Sequence, residues 1–168
     1  MDKYTEQILE KKPDIKQKLL MLGAILVTAM GVALLCFVNF GIGVALAALG
    51  GFLIYWAKLS SYAEYEYLFI NGDLDIARIT NKSTRKDIYS FKYGDVQRVL
   101  TYNSEKFQNE LEVNAELTLK DFTSGNEDNQ EMWYAFLVNA KNGTHAVVLE
   151  LNEKTLEHVK ECFKKKLD

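Results

Sequence analysis

The sequence predicts a membrane-anchored α+β protein: a transmembrane helical hairpin near the N-terminus, then a sandwich or barrel of about seven antiparallel strands, then a C-terminal helix. Three observations carry that expectation. Leu19 to Ala57 is an apolar run of 39 residues without a charge. The chain after it alternates apolar and polar residues in short runs punctuated by Asn, Gly and Asp. The last stretch repeats apolar residues at helical spacing instead.

The apolar run is too long for one span. As a single helix it would measure about 58 Å at roughly 1.5 Å per residue, against a hydrocarbon core of about 30 Å. A turn at Asn39-Phe40-Gly41 divides it into spans 19–38 and 42–57, with Gly43 further relaxing the backbone where the chain reverses. A soluble helix pair would need a polar face, and neither span has one. Tyr55 and Trp56 ahead of Lys58 form an interfacial belt with a snorkelling anchor. Gly43, Ala47 and Gly51 recur every four residues, so backbones can approach closely there. That stripe suits packing against the first span, and it also suits homo-oligomerisation through the second.

Lys11, Lys12, Lys16 and Lys18 precede the first span and Lys58 follows the second, whereas the central loop is uncharged. The positive-inside bias therefore places both termini of a two-span membrane protein in the cytoplasm. Residues 1–18 are then a cytoplasmic leader, 19–57 the hairpin, and 59–168 a cytoplasmic domain. Only Leu59, Ser60 and Ser61 separate Lys58 from the first strand pattern, which tethers the domain within roughly 10–15 Å of the bilayer at about 3.5 Å per residue. In that compartment the sequons Asn81-Lys82-Ser83 and Asn142-Gly143-Thr144 are turn residues rather than glycan acceptors.

The net charge of −3 hides a sharper imbalance, because residues 59–168 carry 14 Lys+Arg against 19 Asp+Glu. Such a domain repels phosphate backbones, so no nucleic-acid partner is expected. Two cysteines, Cys36 in the apolar run and Cys162 near the end, make no disulfide framework.

In the domain, Ala63, Tyr65, Tyr67 and Phe69 alternate with Glu64 and Glu66 as a strand. Asn71-Gly72-Asp73 turns the chain into 74–80, and 81–84 turns it into 86–92. Gly94-Asp95 precedes 96–102, and a polar connection covers 104–109. Leu111, Val113, Ala115, Leu117 and Leu119 read as the next strand; a helix would align Leu111, Ala115 and Leu119, but period two explains more positions. An acidic loop at 124–131 leads to 132–139, and Lys141-Asn142-Gly143-Thr144 turns into 145–151. Asn152 caps a final helix whose stripe is Leu156, Val159, Phe163 and Leu167, with Lys164, Lys165 and Lys166 at its negative end. About seven strands closed by one helix is the pattern of a pleckstrin-homology-like (PH-like) domain.

The chain resembles a family of small bacterial membrane proteins in which a two-helix hairpin precedes a PH-like domain. The residues that carry the resemblance are Glu64-Tyr65-Glu66-Tyr67-Leu68-Phe69, then Gly72-Asp73-Leu74-Asp75-Ile76, with Lys82, Arg85 and Lys86 in the next turn. The resemblance implies architecture and membrane localisation, and no chemistry.

No catalytic constellation is expected. The chain has no P-loop, dinucleotide-binding glycine fingerprint or His-Glu-x-x-His pattern. His158 and Cys162 lie four apart on a helix, yet zinc needs further ligands and a nucleophile needs an orienting group. Neither metal nor cofactor is expected, and His145 stands alone at a strand start. Glu64, Glu66, Asp73 and Asp75 read as a solvated sheet face. Lys82, Arg85 and Lys86 are candidates to touch anionic headgroups or a partner, each exposed cation near such a surface contributing about 1 kcal/mol. The functional expectation is a non-enzymatic, membrane-tethered module that binds or scaffolds an unidentified protein partner at the cytoplasmic face and touches membrane lipids. The alternatives are an accessory subunit or lipid-interacting protein acting through its transmembrane pair and, behind it, an enzyme whose site the motifs do not reveal.

Overall fold

The computed structural model describes residues 3–37, 40–114 and 116–168. It contains β1 (Tyr4–Glu10), α1 (Ile15–Phe37), α2 (Phe40–Ser61), β2 (Ala63–Ile70), β3 (Asp73–Thr80), β4 (Thr84–Phe91), β5 (Val96–Thr101), α3 (Glu105–Val113), β6 (Thr118–Asp121), β7 (Trp133–Ala140), β8 (Gly143–Glu150) and α4 (Glu153–Cys162). Contacts divide it into two units. One takes Glu64–Ile79, Thr84–Asp168 and the N-terminal residues up to Lys11; the other takes Lys12–Ala63 and Thr80–Ser83.

In the helical unit, α1 and α2 are each long and apolar enough to cross a membrane. Only Ala24 and Gly31 of α1, and Gly43, Gly50 and Ala57 of α2, are buried. These small residues mark the line along which the helices touch. A Cβ on Gly43 would collide with the Leu35 backbone, one on Gly31 with the Ala47 backbone, and one on Gly50 with Thr28. A Cβ on Gly51 would meet nothing within 4 Å. The close approach therefore follows Gly43, Ala47 and Gly50, a spacing of four then three that keeps to one helix face better than a strict four. The turn expected at 39–41 falls partly outside the described residues; Phe40 and Gly41 are already helical.

The β-rich unit is two open four-stranded sheets, ordered β1-β2-β3-β4 and β5-β7-β8-β6. The segment read as a leader supplies β1, which pairs antiparallel with β2 from Tyr4↔Ile70 to Glu10↔Glu64. Its alternation is disguised because the inward residues Thr5 and Gln7 are polar while Tyr4 and Ile8 face outward. Thr5 Oγ1 lies 2.8 Å from His158 Nδ1. Gln7 donates to the Glu150 carbonyl at 2.7 Å and accepts from the Asn152 N–H at 3.0 Å. Strand β1 is thus bonded both to β2 and to the β8–α4 junction.

One core lies between the sheets and α4, with Tyr67, Phe69, Ile76, Phe136, Leu149 and Phe163 at its centre. A second core, on the other face of β7 and β8, holds Trp133, Leu137, Val148 and Phe107 of α3. Both faces of these two strands are covered, which explains their unbroken apolar runs Ala135–Val138 and Ala146–Leu149. The strand expected at 111–119 is not formed. Ser104 caps α3 by accepting from the Phe107 N–H, and Phe107 with Leu111 faces the second core at helical spacing. Ala115 lies outside the described residues. The strand that follows, β6, pairs with β8 in parallel, so the sandwich has eight strands and is not wholly antiparallel.

Removal of residues 1–62 should leave the β2 edge unpaired and lower stability by at least about 3 kcal/mol, since ladder hydrogen bonds contribute about 1 kcal/mol each. Replacing residues 12–62 by a tight Asn-Gly turn should instead give a soluble, cooperatively melting domain. Gel filtration and thermal melts compare the two. In micelles, Gly50→Leu should cost about 1–3 kcal/mol of hairpin stability by overpacking and Gly51→Leu far less, read by denaturant titration of the helical signal.

Candidate functional site

The outward face of the first sheet combines two kinds of side chain that seldom share a solvated surface. In β1 the outward residues are Tyr4, Glu6, Ile8 and Glu10; in β2 they are Glu64, Glu66, Leu68 and Ile70. The register sets Tyr4 beside Ile70, Glu6 beside Leu68, and Ile8 beside Glu66. Tyr4, Ile8 and Ile70 are 58%, 56% and 42% exposed, so an apolar zigzag runs across the strands between carboxylates. The Tyr4 hydroxyl donates to Glu6 at 2.8 Å, and that bond together with nearby Glu66 holds the phenol above its ordinary pKa.

Towards β4 the same sheet forms an open concavity of about 660 Å³ lined by Leu68, Asp75, Arg85, Asp87 and Ile88, among others. Arg85 donates through Nε to Glu66 at 2.5 Å and through a terminal nitrogen to Asp87 at 2.9 Å. These carboxylates, Glu66 first, raise its already high pKa. Asp73 differs from the other acids, accepting the Tyr93 N–H at 2.8 Å.

The three cations singled out from sequence are engaged in different ways. Arg85 is held by acids. Lys82, in a turn where its φ is +59°, places its ammonium 4.9 Å from the Tyr62 ring centroid. Lys86 is exposed on β4. On α2, Tyr55 and Trp56 are 67% and 50% exposed beside the exposed Lys58, while Ala57 between them is buried.

Most titratable groups of the interior are held by hydrogen bonds, and His158 Nε2 is buried with no partner among the described residues. Glu150, 4% exposed, accepts from the Ser124 N–H (3.1 Å) and hydroxyl (2.5 Å), Asn129 Nδ2 (2.8 Å) and Trp133 Nε1 (3.3 Å). Four donors on one buried carboxylate fasten the loop after β6 to the end of β8. His145 Nδ1 lies 2.7 Å from the Tyr89 hydroxyl. The His158 ring lies tilted against Phe69 with centroids 5.8 Å apart, and Cys162, half-buried, has its thiol pushed up by burial. A protonated thiol is a weak nucleophile, and one His158 nitrogen, Nδ1, is bonded to Thr5. Sequence reasoning missed the inward roles of Glu150 and Thr5, since an acid closing a strand and a Thr near the N-terminus both read as surface. The signal for Glu150 was its place directly after the uninterrupted run Ala146–Leu149.

Burial, and then Lys3 nearby, lower the pKa of His158 below the ordinary value of 6.5. The folded state keeps this imidazole neutral while the unfolded chain takes up a proton near that value, so its contribution is present above about 6.5 and is lost below it. Melting temperature should be level between pH 8 and 7 and decline as the pH falls through 6. His158→Gln should flatten that decline. Glu161 and Asp168, lowered by Lys3 and Lys106, keep their contribution above the ordinary carboxylate range and lose it only as the pH falls through and below that range, which separates the two effects.

A family model described as a bacterial PH-like domain (DUF6106) matches residues 1–168. Neither a curated protein nor a solved structure matches the chain.

Proposed function

Because the chain belongs to the bacterial PH-like domain family, we propose that it is a non-catalytic, membrane-tethered module that binds or scaffolds a protein partner at the cytoplasmic membrane face. The observation that carries this reading is the outward face of the first sheet. A sandwich exposed to water on that side ordinarily shows polar residues, whereas here Tyr4, Ile8, Leu68 and Ile70 lie among Glu6, Glu10, Glu64 and Glu66. The partner it fits is a segment with an apolar stripe flanked by Lys and Arg. Anionic lipid would be repelled by the same carboxylates, so the face is one for protein.

The two helices, long and apolar enough to cross a membrane, support the tether. Because β1 and β2 pair with each other, the chain before the hairpin and the chain after it share one side of the bilayer. The flanking Lys11, Lys12, Lys16, Lys18 and Lys58 favour the cytoplasmic side. The links are residues 11–14 and Tyr62 alone, so the domain has a reach of only about 3.5 Å per link residue. A second reading, an accessory subunit or homo-oligomer acting through its helices, draws on Gly51, whose surroundings are open.

Photocrosslinking in cells tests both. A crosslinker at Ile8 should capture a discrete adduct that a crosslinker at Leu119, on the other sheet, does not, and Glu6→Lys with Glu64→Lys should reduce it several-fold. Equal capture from both positions removes the sheet-face reading; loss of an adduct only on Gly51→Leu favours the helical one. A reporter after Asp168 active only outside the cytoplasm would refute the sidedness.

A further inference from the structure

The start of α1 and the end of α2 enclose a groove of about 420 Å³. Its walls are Met21, Leu22 and Ile25 of α1, and its rim carries Lys18 from α1 with Lys58 and Ser61 from α2. The floor is apolar, while both cations stand at the hairpin's open end, where the apolar run begins at Leu19 and ends at Ala57. Lys18 and Lys58 are exposed, and neither ammonium has an acidic partner among the described residues. A lone snorkelling lysine beside a span anchors it to any headgroup layer. Two lysines brought from different helices to the rim of one apolar groove of about 420 Å³ do more, because they present several ammonium donors beside its apolar floor.

We infer that this groove is a binding site for one anionic glycerophospholipid, its phosphate held between Lys18 and Lys58 and one acyl chain laid along Met21, Leu22 and Ile25. Charge complementarity selects the headgroup: a zwitterionic lipid brings its own cation to the rim and gains little from the pair. The apolar walls select a lipid over a soluble phosphate, which would leave them uncovered. Ser61, whose hydroxyl donates to the Ala57 carbonyl at 2.7 Å, keeps an oxygen at the rim able to accept from a glycerol hydroxyl. The inference depends on the two helices being membrane spans and is independent of what the sheet face binds.

The test uses the full chain in phosphatidylcholine nanodiscs doped with spin-labelled phosphatidylglycerol or, separately, spin-labelled phosphatidylcholine. Phosphatidylglycerol should show a motionally restricted component in preference to phosphatidylcholine, by about fivefold for each lysine engaged. Lys18→Gln with Lys58→Gln should bring the two lipids level, whereas Lys12→Gln, outside the groove, should leave the preference intact. Ile25→Trp, which fills the groove and keeps both charges, should remove the excess of restricted phosphatidylglycerol over phosphatidylcholine while the hairpin's helical signal is unchanged. Equal restriction of the two lipids, an equal loss with Lys12→Gln, or displacement by millimolar inorganic phosphate would each overturn the site. The absence of any restricted lipid would overturn the membrane reading as well.

Discussion

The pairing of β1 with β2 is the constraint around which the rest of the molecule is arranged. Adjacent antiparallel strands are usually joined by a turn of a few residues; here the whole helical hairpin stands in the place of that turn. The sheet therefore draws on sequence from both sides of the helices, and the apolar helical pair is topologically a loop of the sandwich. β1 is held by more than its ladder. Thr5 reaches His158 on α4, and Gln7 bridges the Glu150 carbonyl and the Asn152 N–H. Those contacts join the first strand to the last strand and the last helix, closing the unit across its full sequence.

The second sheet organises the opposite side. Strands β7 and β8 are buried on both faces, by the first sheet and α4 on one side and by α3 on the other. Glu150 is buried at the end of β8, and its four donors come from the loop after β6 and from Trp133. An acid in that position holds the loop by accepting from all four of these donors. The outward face of the first sheet, by contrast, carries Tyr4, Ile8, Leu68 and Ile70 among Glu6, Glu10, Glu64 and Glu66.

Much of this arrangement was legible in the sequence. The uncharged run from Leu19 to Ala57 announced two helices, and the alternation in Ala63–Ile70 announced β2 with its inward aromatics. The Asn152 cap appeared as expected, accepting from the Thr155 N–H. What escaped was governed by tertiary context. β1 shows Thr5 and Gln7 to the interior because specific acceptors and donors await them there, and no local pattern reveals a partner some 150 positions away. The stretch from Leu111 to Leu119 satisfies both periods; what decided it was the Ser104 cap and the bare outer face of β7 and β8, which needed Phe107. The unbroken runs in those strands did signal that something must cover them. In α2, Gly43 and Ala47 lie on the packed line, but Gly50 replaces Gly51 because a face is followed by alternate steps of three and four.

The insertion of the helices between β1 and β2 also dictates an order of assembly. The first strand leaves the ribosome before either helix, yet its partner is not synthesised until both are complete. Closing a flexible connection of about fifty residues would cost roughly 3.5 kcal/mol in chain entropy, whereas a formed helical hairpin already brings its two ends together. Sheet completion is therefore coupled to hairpin formation. A chain in which only one helix entered a bilayer would strand β1 and β2 on opposite sides of it, with Thr5, Gln7 and the β2 edge unmatched. The fold carries its own proofreading: a finished sandwich certifies that both helices were placed together.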